Sequence, residues 1–297
     1  MKIESSIVIS QKYQNFAPYP LTNLKLYEIA LQKLSPLYGE SEAKSIINTW
    51  FEDNFMWTKM QLNDQKLLTD EVKAKFHEEL QLLEQHYPVQ YVCKQAYFCG
   101  SFFEVNSHTL IPRPETEELV KLVVQKANGK RLVEVGTGSG CISISIAKHL
   151  NHIDIIATDI DNVCLKTAKN NAEKILKNNC IQFINHNILT ESWTESLPDI
   201  VVSNPPYIPV KDSYLIEPNV LKYEPHLALF VQDSDPLLFY KKIVHAFQSN
   251  RNTEYYFEIH QDYSHVLSTY FNELNYKCDI FKDLNGNDRF AIVSNKL

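Results

Sequence analysis

The chain has 297 residues, 44% hydrophobic and 22% charged, which argues for a packed core and against disorder. That length holds one α/β domain of roughly 180 residues and a smaller partner domain. A net charge of −7 is a poor basis for wrapping nucleic acid, where a basic face supplies the affinity, so no direct nucleic-acid partner is expected. The six cysteines (Cys93, Cys99, Cys141, Cys164, Cys180 and Cys278) form no CxxC pair and no zinc-finger spacing, and several lie inside apolar runs. They read as reduced thiols in a cytoplasmic setting, with no metal expected. The opening stretch MKIESSIVISQKYQNF lacks a long apolar run, and no run of about 18 apolar residues occurs anywhere, so neither a signal peptide nor a membrane span is expected.

In chain order, residues 21–85 show apolar positions recurring at three and four, the period of a helix. Ser41-Glu42 and Thr69-Asp70-Glu71 read as helix starts, each a hydroxyl cap followed by acid. We therefore expect a helical bundle over 1–86. Residues 91–106 turn aromatic and β-branched and break at Cys99-Gly100-Ser101, which predicts a β-hairpin within a linker over 87–110. The prolines of Ile111-Pro112-Arg113-Pro114 stop regular structure, and Glu115-Thr116-Glu117-Glu118 opens a helix. From there on, strands at 131–135, 154–158, 181–185, 199–203 and 254–259 alternate with helices at 141–150, 161–177, 235–249 and 261–274. Strands YKCDIF and RFAIVS close the chain around Asn285-Gly286. Continuous apolar strands alternating with helices predict an α/β domain over 111–297, built on a mostly parallel sheet covered on both faces, with the last hairpin adding an antiparallel strand.

Two motifs carry chemistry. Glu134-Val135-Gly136-Thr137-Gly138-Ser139-Gly140 follows the first strand and holds three of the seven glycines in the chain. Glycines there let a ligand approach backbone that no side chain obstructs, at the carboxyl edge of a parallel sheet. Asp159 ends the next strand, placed to accept hydrogen bonds from ribose hydroxyls. The spacing is GxGxG rather than the GxGxxG of dinucleotide folds, and it resembles the first motif of class I S-adenosylmethionine methyltransferases.

The second motif, Asn204-Pro205-Pro206-Tyr207, follows the fourth strand and is expected to face the same crevice. A planar NH₂ is a poor nucleophile because its lone pair is delocalised. The Asn204 side-chain oxygen and the Pro205 carbonyl are candidate acceptors for its two N–H groups. Prolines hold those acceptors rigidly and bring no competing donor. Tyr207 is expected to stack on the flat target group.

The segments IPRPETEELV (111–120), EVGTGSGCISISIA (134–147), VVSNPPYIP (201–209), YEPHLALF (223–230) and DLNGNDR (283–289) resemble, in the same order, the release factor glutamine methyltransferases of the HemK family. The resemblance covers residues 88–297 well and residues 1–85 in general character. It implies transfer of a methyl group from S-adenosyl-L-methionine to the glutamine amide of the GGQ motif in class I peptide chain release factors. It also implies a Rossmann-like methyltransferase domain behind an N-terminal helical substrate-docking domain. Carried onto this sequence, Glu134, Gly136, Thr137, Gly138, Ser139, Gly140 and Asp159 contact the cofactor, and Ile188 falls where the family contacts adenine. Asn204, Pro205, Pro206 and Tyr207 hold the glutamine, with Asn204 also near the methyl donor. Arg113, Glu115 and Glu117 support the cofactor pocket or interdomain packing, or, for the two acids, form a solvated helix start. The chain departs from the family pattern at Lys94, where glycine is usual, at Asn187, where aspartate is usual, and at His260, which reads as a packed or solvated residue. Glutamine methylation of a ribosomal protein and adenine-N6 methylation of nucleic acid share the NPPY chemistry. A non-catalytic adaptor for translation factors is a further alternative, against which the intact glycines, Asp159 and Asn204 weigh.

Overall fold

The computed structural model describes residues 21–58, 61, 68–150, 152–176 and 181–296. The opening residues read above for a leader, and Cys180, lie outside that set. The chain divides into two units between Val92 and Cys93. In the first, α1 (Asn23–Tyr38), α2 (Glu40–Phe55) and α3 (Asp70–Glu84) are followed by a short α4 (Val89–Cys93). Thr69 caps α3 as its sequence suggests, its hydroxyl accepting from the Val72 N–H. The start of α2 differs from expectation. The helix begins at Glu40, ahead of Ser41, because Gly39 takes a left-handed φ of +79° that turns the chain straight out of α1. Trp50 of α2 stacks on Phe76 of α3 at 5.1 Å, and its indole N–H donates to Glu79 at 2.6 Å, so a buried aromatic pair carries a satisfied polar edge.

The second unit opens with a hairpin of β1 (Gln95–Phe98) and β2 (Ser101–Glu104). Residues 91–93, expected to be extended, belong instead to the end of α4. Cys99 and Gly100 both have positive φ, as a tight two-residue turn requires, and the Cys99 N–H donates to Glu117 at 2.9 Å. Lys94 is also left-handed, at φ +57°, a conformation that favours glycine. After α5 (Pro114–Ala127), the strands β3 (Arg131–Val135), β4 (Asp154–Asp159), β5 (Ile181–Asn185), β6 (Ile200–Ser203) and β9 (Glu254–Glu258) run parallel in one sheet. The closing strands β10 (Tyr276–Lys282) and β11 (Asp288–Asn295) complete it in the order β10-β11-β9-β6-β3-β4-β5, with β11 antiparallel to both its neighbours. This is the α/β architecture that the strand pattern predicts.

Burial follows the two-residue repeat of each strand. Leu132, Ile155, Ile200 and Val202 turn to one face, where they meet Leu119 and Val123 of α5 and Ile142 and Ile146 of α6 (Cys141–His149). Val133, Val201, Tyr255 and Phe257 turn to the other, against Ile243 and Phe247 of α10 (Leu238–Phe247) and Phe271 of α11 (Ser264–Glu273). Cys141 and Cys164 carry raised thiol pKa values because burial disfavours their thiolates. Among the described residues, no helix is long and apolar enough to cross a membrane.

Between β6 and α10 lies a stretch the strand–helix rhythm did not foresee. A two-residue strand β7 (Ile208–Pro209) pairs in parallel with β8 (Phe230–Val231). Between them come a 3₁₀ turn at Val210–Leu215 and two short helices, α8 (Pro218–Tyr223) and α9 (His226–Leu229).

Gly140 precedes α6 with φ +81°, and a Cβ there would lie 2.7 Å from Ile144 Cδ1 and 3.0 Å from Ala168 Cβ of α7 (Asn162–Ile175). At Gly136, also left-handed, the same atom would meet open space. Gly140→Ala therefore carries both the left-handed penalty, about 1–2 kcal/mol, and an overpacking cost of about 1–3 kcal/mol. Gly136→Ala carries only the first. Equilibrium urea unfolding is expected to rank Gly140→Ala below Gly136→Ala; equal midpoints would show that the α6–α7 contact does not constrain residue 140.

Candidate active site

The glycine loop leaves the C-terminal end of β3, and Asn204 leaves the C-terminal end of β6. The two strands are parallel neighbours, with Leu132 opposite Ile200 and Glu134 opposite Val202. The strand order also reverses here, since β4 and β5 lie on one side of β3, and β6 and β9 on the other. Loops that diverge at such a point leave a crevice between them. Ser203 ties the two ends together, its hydroxyl donating to the Val135 carbonyl at 2.7 Å. The crevice is a cavity of about 370 Å³.

The predicted site residues distribute clearly around it. Glu134, Gly136, Thr137, Gly138 and Ser139 line one wall, with Asp159 and Ile188 beside them; Asn204, Pro205 and Pro206 line the other. Gly140 and Tyr207 do not line it. Gly140 serves the helix packing described above. The Tyr207 hydroxyl donates to Glu258 at 3.3 Å and its ring meets His260 edge-on at 6.0 Å, so the expected stacking on a target group is not the placement found. Burial and the Glu258 charge push the Tyr207 phenol up, so it stays protonated.

The glycine loop is clipped to the end of β4. The N–H groups of Gly136 and Thr137 donate to the Thr158 carbonyl at 2.9 and 2.8 Å, and the Gly138 N–H donates to Asp159 at 2.8 Å. The other Asp159 oxygen accepts from the Asp161 N–H at 2.9 Å. Burial pushes the Asp159 carboxyl up, and these backbone donors oppose it. Beneath the loop, Glu134 is fully buried. Its Oε2 accepts from the Thr137 hydroxyl at 2.7 Å and the Ser143 N–H at 3.2 Å, while Oε1 has no hydrogen-bond partner. Burial raises its pKa to about 7, against the pull of the Ser143 and Thr137 hydrogen bonds. His186, on the same cavity, has a buried and unpartnered Nε2. Buried polar atoms left without partners are rare in a folded chain; with the Ser139 hydroxyl these make three on one cavity, which mark it as a place for a polar ligand.

The Asn204 amide nitrogen donates to the Thr116 hydroxyl at 3.4 Å, and Thr116 donates to Glu258 at 2.6 Å. Arg113, at the mouth, pairs with the buried Glu224 at 2.6 Å, and Glu224 also accepts from the Ile111 N–H at 3.2 Å. This ion pair joins the IPRPETE and YEPH segments. Glu117 anchors the hairpin turn through Cys99, so it is not simply solvated. Asn187 lines the cavity and its side-chain oxygen accepts from the Leu189 N–H at 3.0 Å, shaping the turn before Ile188. His260 accepts from the Asp262 N–H as a cap, a packed role that agrees with its sequence reading.

Sequence reasoning missed Thr116, Glu224, Glu258 and the His108–Asp161 pair, which closes at 2.7 Å on the cavity. IPRPETE and YEPH pointed to Thr116 and Glu224 as motif members without a role. His108 and Asp161, 53 residues apart in the chain, carried no local signal.

A family model described as the methyltransferase small domain matches residues 114–222. The release factor glutamine methyltransferase of Flavobacterium psychrophilum is 39% identical, over 89% of this chain and 96% of that protein. That of Enterococcus faecalis is 35% identical, over 91% and 99%. Among solved structures, the hMettl16 catalytic domain in complex with MAT2A 3'UTR hairpin 1 superposes with a TM-score of 0.55 at 17% identity, over 85% of this chain and 90% of that one, a likeness of fold alone. With relatives this similar along nearly their whole length, the chain belongs to the release factor glutamine methyltransferase family.

Proposed function

We propose that this protein transfers a methyl group from S-adenosyl-L-methionine to the side-chain amide nitrogen of the GGQ glutamine in class I peptide chain release factors. One observation carries the reading: a glycine loop and an Asn-Pro-Pro segment flank a single cavity at the ends of two adjacent parallel strands. Family membership supports the substrate, since the relatives are named for it.

The residues fit the donor. The glycine backbone leaves room for its close approach, and Asp159 keeps free lone pairs for ribose hydroxyls beyond its two backbone bonds. Ile188, nearly buried, offers an apolar wall for adenine. The unpartnered Glu134 oxygen and the clustered carboxylates favour a positively charged ligand. When bound, S-adenosylmethionine supplies a methyl group on a positively charged sulfur.

The protein's own part is orientation. Asn204 Oδ1 and the Pro205 carbonyl accept the two N–H groups of the glutamine amide and hold its nitrogen toward the donor. That nitrogen would take the methyl carbon as its bond to sulfur breaks, leaving a neutral thioether, and would then release one N–H proton; until it does, the positive charge on the N–H groups would be stabilised by the same two acceptors. Pro205 and Pro206 have no N–H, so the lip presents no donor to compete. Tyr207 supports the lip from behind. The helical unit ahead of Cys93 is the proposed docking element for the release factor, and the substrate places the reaction in the cytoplasm.

Incubation with labelled S-adenosylmethionine and a purified release factor is expected to label the glutamine of the GGQ peptide, read by mass spectrometry. Label found only on a ribosomal protein or on adenine would overturn the proposal. Asn204→Ala is expected to abolish transfer while calorimetry still detects cofactor binding; wild-type turnover would remove Asn204 as the amide acceptor. Asp159→Ala is expected to weaken S-adenosylmethionine binding, and an unchanged Kd would remove Asp159 from the ribose role. Glu134 gives a pH signature to the free protein. Its pKa is raised from 4.5 in the unfolded reference to about 7 in the fold, so the native state keeps a proton that the unfolded chain releases. The Glu134 contribution to stability is full below pH 4.5 and is lost as pH rises toward 7, a loss of roughly 3 kcal/mol. Unfolding profiles of wild type and Glu134→Gln are expected to differ by a curve that falls across that window; parallel profiles would show that Glu134 is ionised throughout.

A further inference from the structure

Thr116 and Glu258 lie outside the Asn204–Tyr207 segment, yet both reach it. Glu258 is the last residue of β9, the strand beside β6, and is 2% exposed. Its two oxygens are divided between two hydroxyls. Oε2 accepts from Thr116 at 2.6 Å and Oε1 from Tyr207 at 3.3 Å. Thr116, in the first turn of α5, is also 2% exposed and lines the cavity.

The hydrogen inventory then settles an orientation. Thr116 has one hydroxyl proton, and it is committed to Glu258. Toward Asn204, Thr116 can offer only a lone pair. The group of Asn204 that faces it is accordingly the NH₂, at 3.4 Å, and Oδ1 is turned the opposite way. A reversed amide would set the Asn204 and Thr116 oxygens against each other with no proton between them. Burial pushes the Glu258 carboxyl up, while the Thr116 hydroxyl, the Arg289 guanidinium and the Tyr207 hydroxyl favour its charged form. Arg289 is itself held by the buried Asp283 at 3.1 Å.

We infer that Glu258 is a positioning residue that braces both ends of the Asn204–Tyr207 segment, setting the Asn204 amide through the Thr116 hydroxyl and the far end through the Tyr207 hydroxyl. The inference rests on the proposed role of Asn204 as an acceptor for the substrate amide. It assigns a function to the threonine of IPRPETE, which touches Asn204, and to the glutamate ahead of His260, which acts only through Thr116 and Tyr207. A carboxylate suits the task because each of its oxygens accepts. A glutamine in its place has one acceptor oxygen, so one hydroxyl must turn round, and if Thr116 turns, the Asn204 amide turns with it.

The test compares wild type, Thr116→Val, Thr116→Ser and Glu258→Gln, with Asn204→Ala as the control. The measurements are kcat and KM for methyl transfer to a release factor, the Kd for S-adenosylmethionine, and the side-chain ¹⁵N–¹H resonances of Asn204 in the free protein. Thr116→Val is expected to lower kcat roughly 100-fold, the scale of a misaligned reacting group, with the cofactor Kd unchanged. The Asn204 proton that bonds Thr116 is expected to move upfield. Thr116→Ser, which keeps the hydroxyl, is expected to recover most of kcat and the resonance position. Wild-type kcat in Thr116→Val with Asn204→Ala inactive would overturn the relay and leave the amide-acceptor reading standing. Equal losses in Thr116→Ser and Thr116→Val would also overturn it, by assigning the effect to packing. Turnover in Asn204→Ala would sink the reading beneath it and the relay together. If Thr116→Val does not fold, Glu258→Gln carries the test: whichever hydroxyl turns, one end of the segment loses its brace, so kcat is expected to fall, and wild-type kcat would overturn the inference.

Discussion

The parallel pairing of β3 with β6 is the constraint on which the site depends. Each strand delivers one motif, and only their shared direction and register bring Gly136 and Asn204 to the same edge. Side chains alternate along a strand, so a one-residue slip in β6 would trade Val201 for Val202 between the two faces of the sheet. Both faces are packed, with α5 and α6 on one and α10 and α11 on the other, and a slip would misplace residues on each. The register is thus held by the core, and the cavity inherits its geometry from packing far below it. Ser203 adds a local lock at the mouth, where its hydroxyl binds the last carbonyl of β3.

Above that foundation the loops are held by short polar ties rather than by apolar burial. The first three N–H groups of the glycine loop all turn toward the end of β4. They are consumed within the protein, so what the loop presents to the cavity is bare backbone and the side chains of its neighbours. On the opposite side, Arg113 and Glu224 form an ion pair whose acid is almost fully enclosed. Pairs of this kind add little net stability, because removing two charges from water offsets most of their attraction. Breaking one leaves a buried charge alone, which makes the geometry specific. The pair fixes how segments 111–113 and 223–226 meet at the cavity mouth.

The regular part of this fold was legible because its physics is local. Ile155 to Ala157 and Ile200 to Val202 are continuous apolar runs, Leu132 to Val135 is one but for Glu134, and such runs between helices imply a sheet covered twice. The two loops were legible for the same reason: glycine frees the backbone, and proline restricts it, at their own positions. What stayed hidden depends on distant residues. Tyr207 turns away from the cavity because Glu258, 51 residues later, offers an acceptor behind it. Gly140 is needed for the approach of Ala168, which no spacing near the loop discloses. The short β7–β8 pair escaped because two residues carry no period, and each strand exists only by virtue of the other. The Ser41 cap failed on a competition between neighbours, since Gly39 could already make the turn that Ser41 was expected to make.

Three carboxylates serve the cavity, Glu134 and Asp159 from its lining and Glu258 through Thr116, and what each one holds separates their roles. Asp159 accepts from backbone N–H groups of its own loop and of the glycine loop, so it serves as a joint between them. Glu258 accepts from two hydroxyls and serves as a brace. Glu134 spends one oxygen on Thr137 and Ser143 and keeps the other unpaired. Burial raises the pKa of all three, and only Glu134 lacks a donor for its second oxygen. An acid in that state is costly in the free protein and is relieved by a cation or a donor nearby. The proposed methyl donor carries positive charge on its sulfur and on its amino group. A chain that is acidic overall thus concentrates acceptors where a cation is to be used, and its polarity fits the ligand as closely as its glycines fit the ligand's bulk.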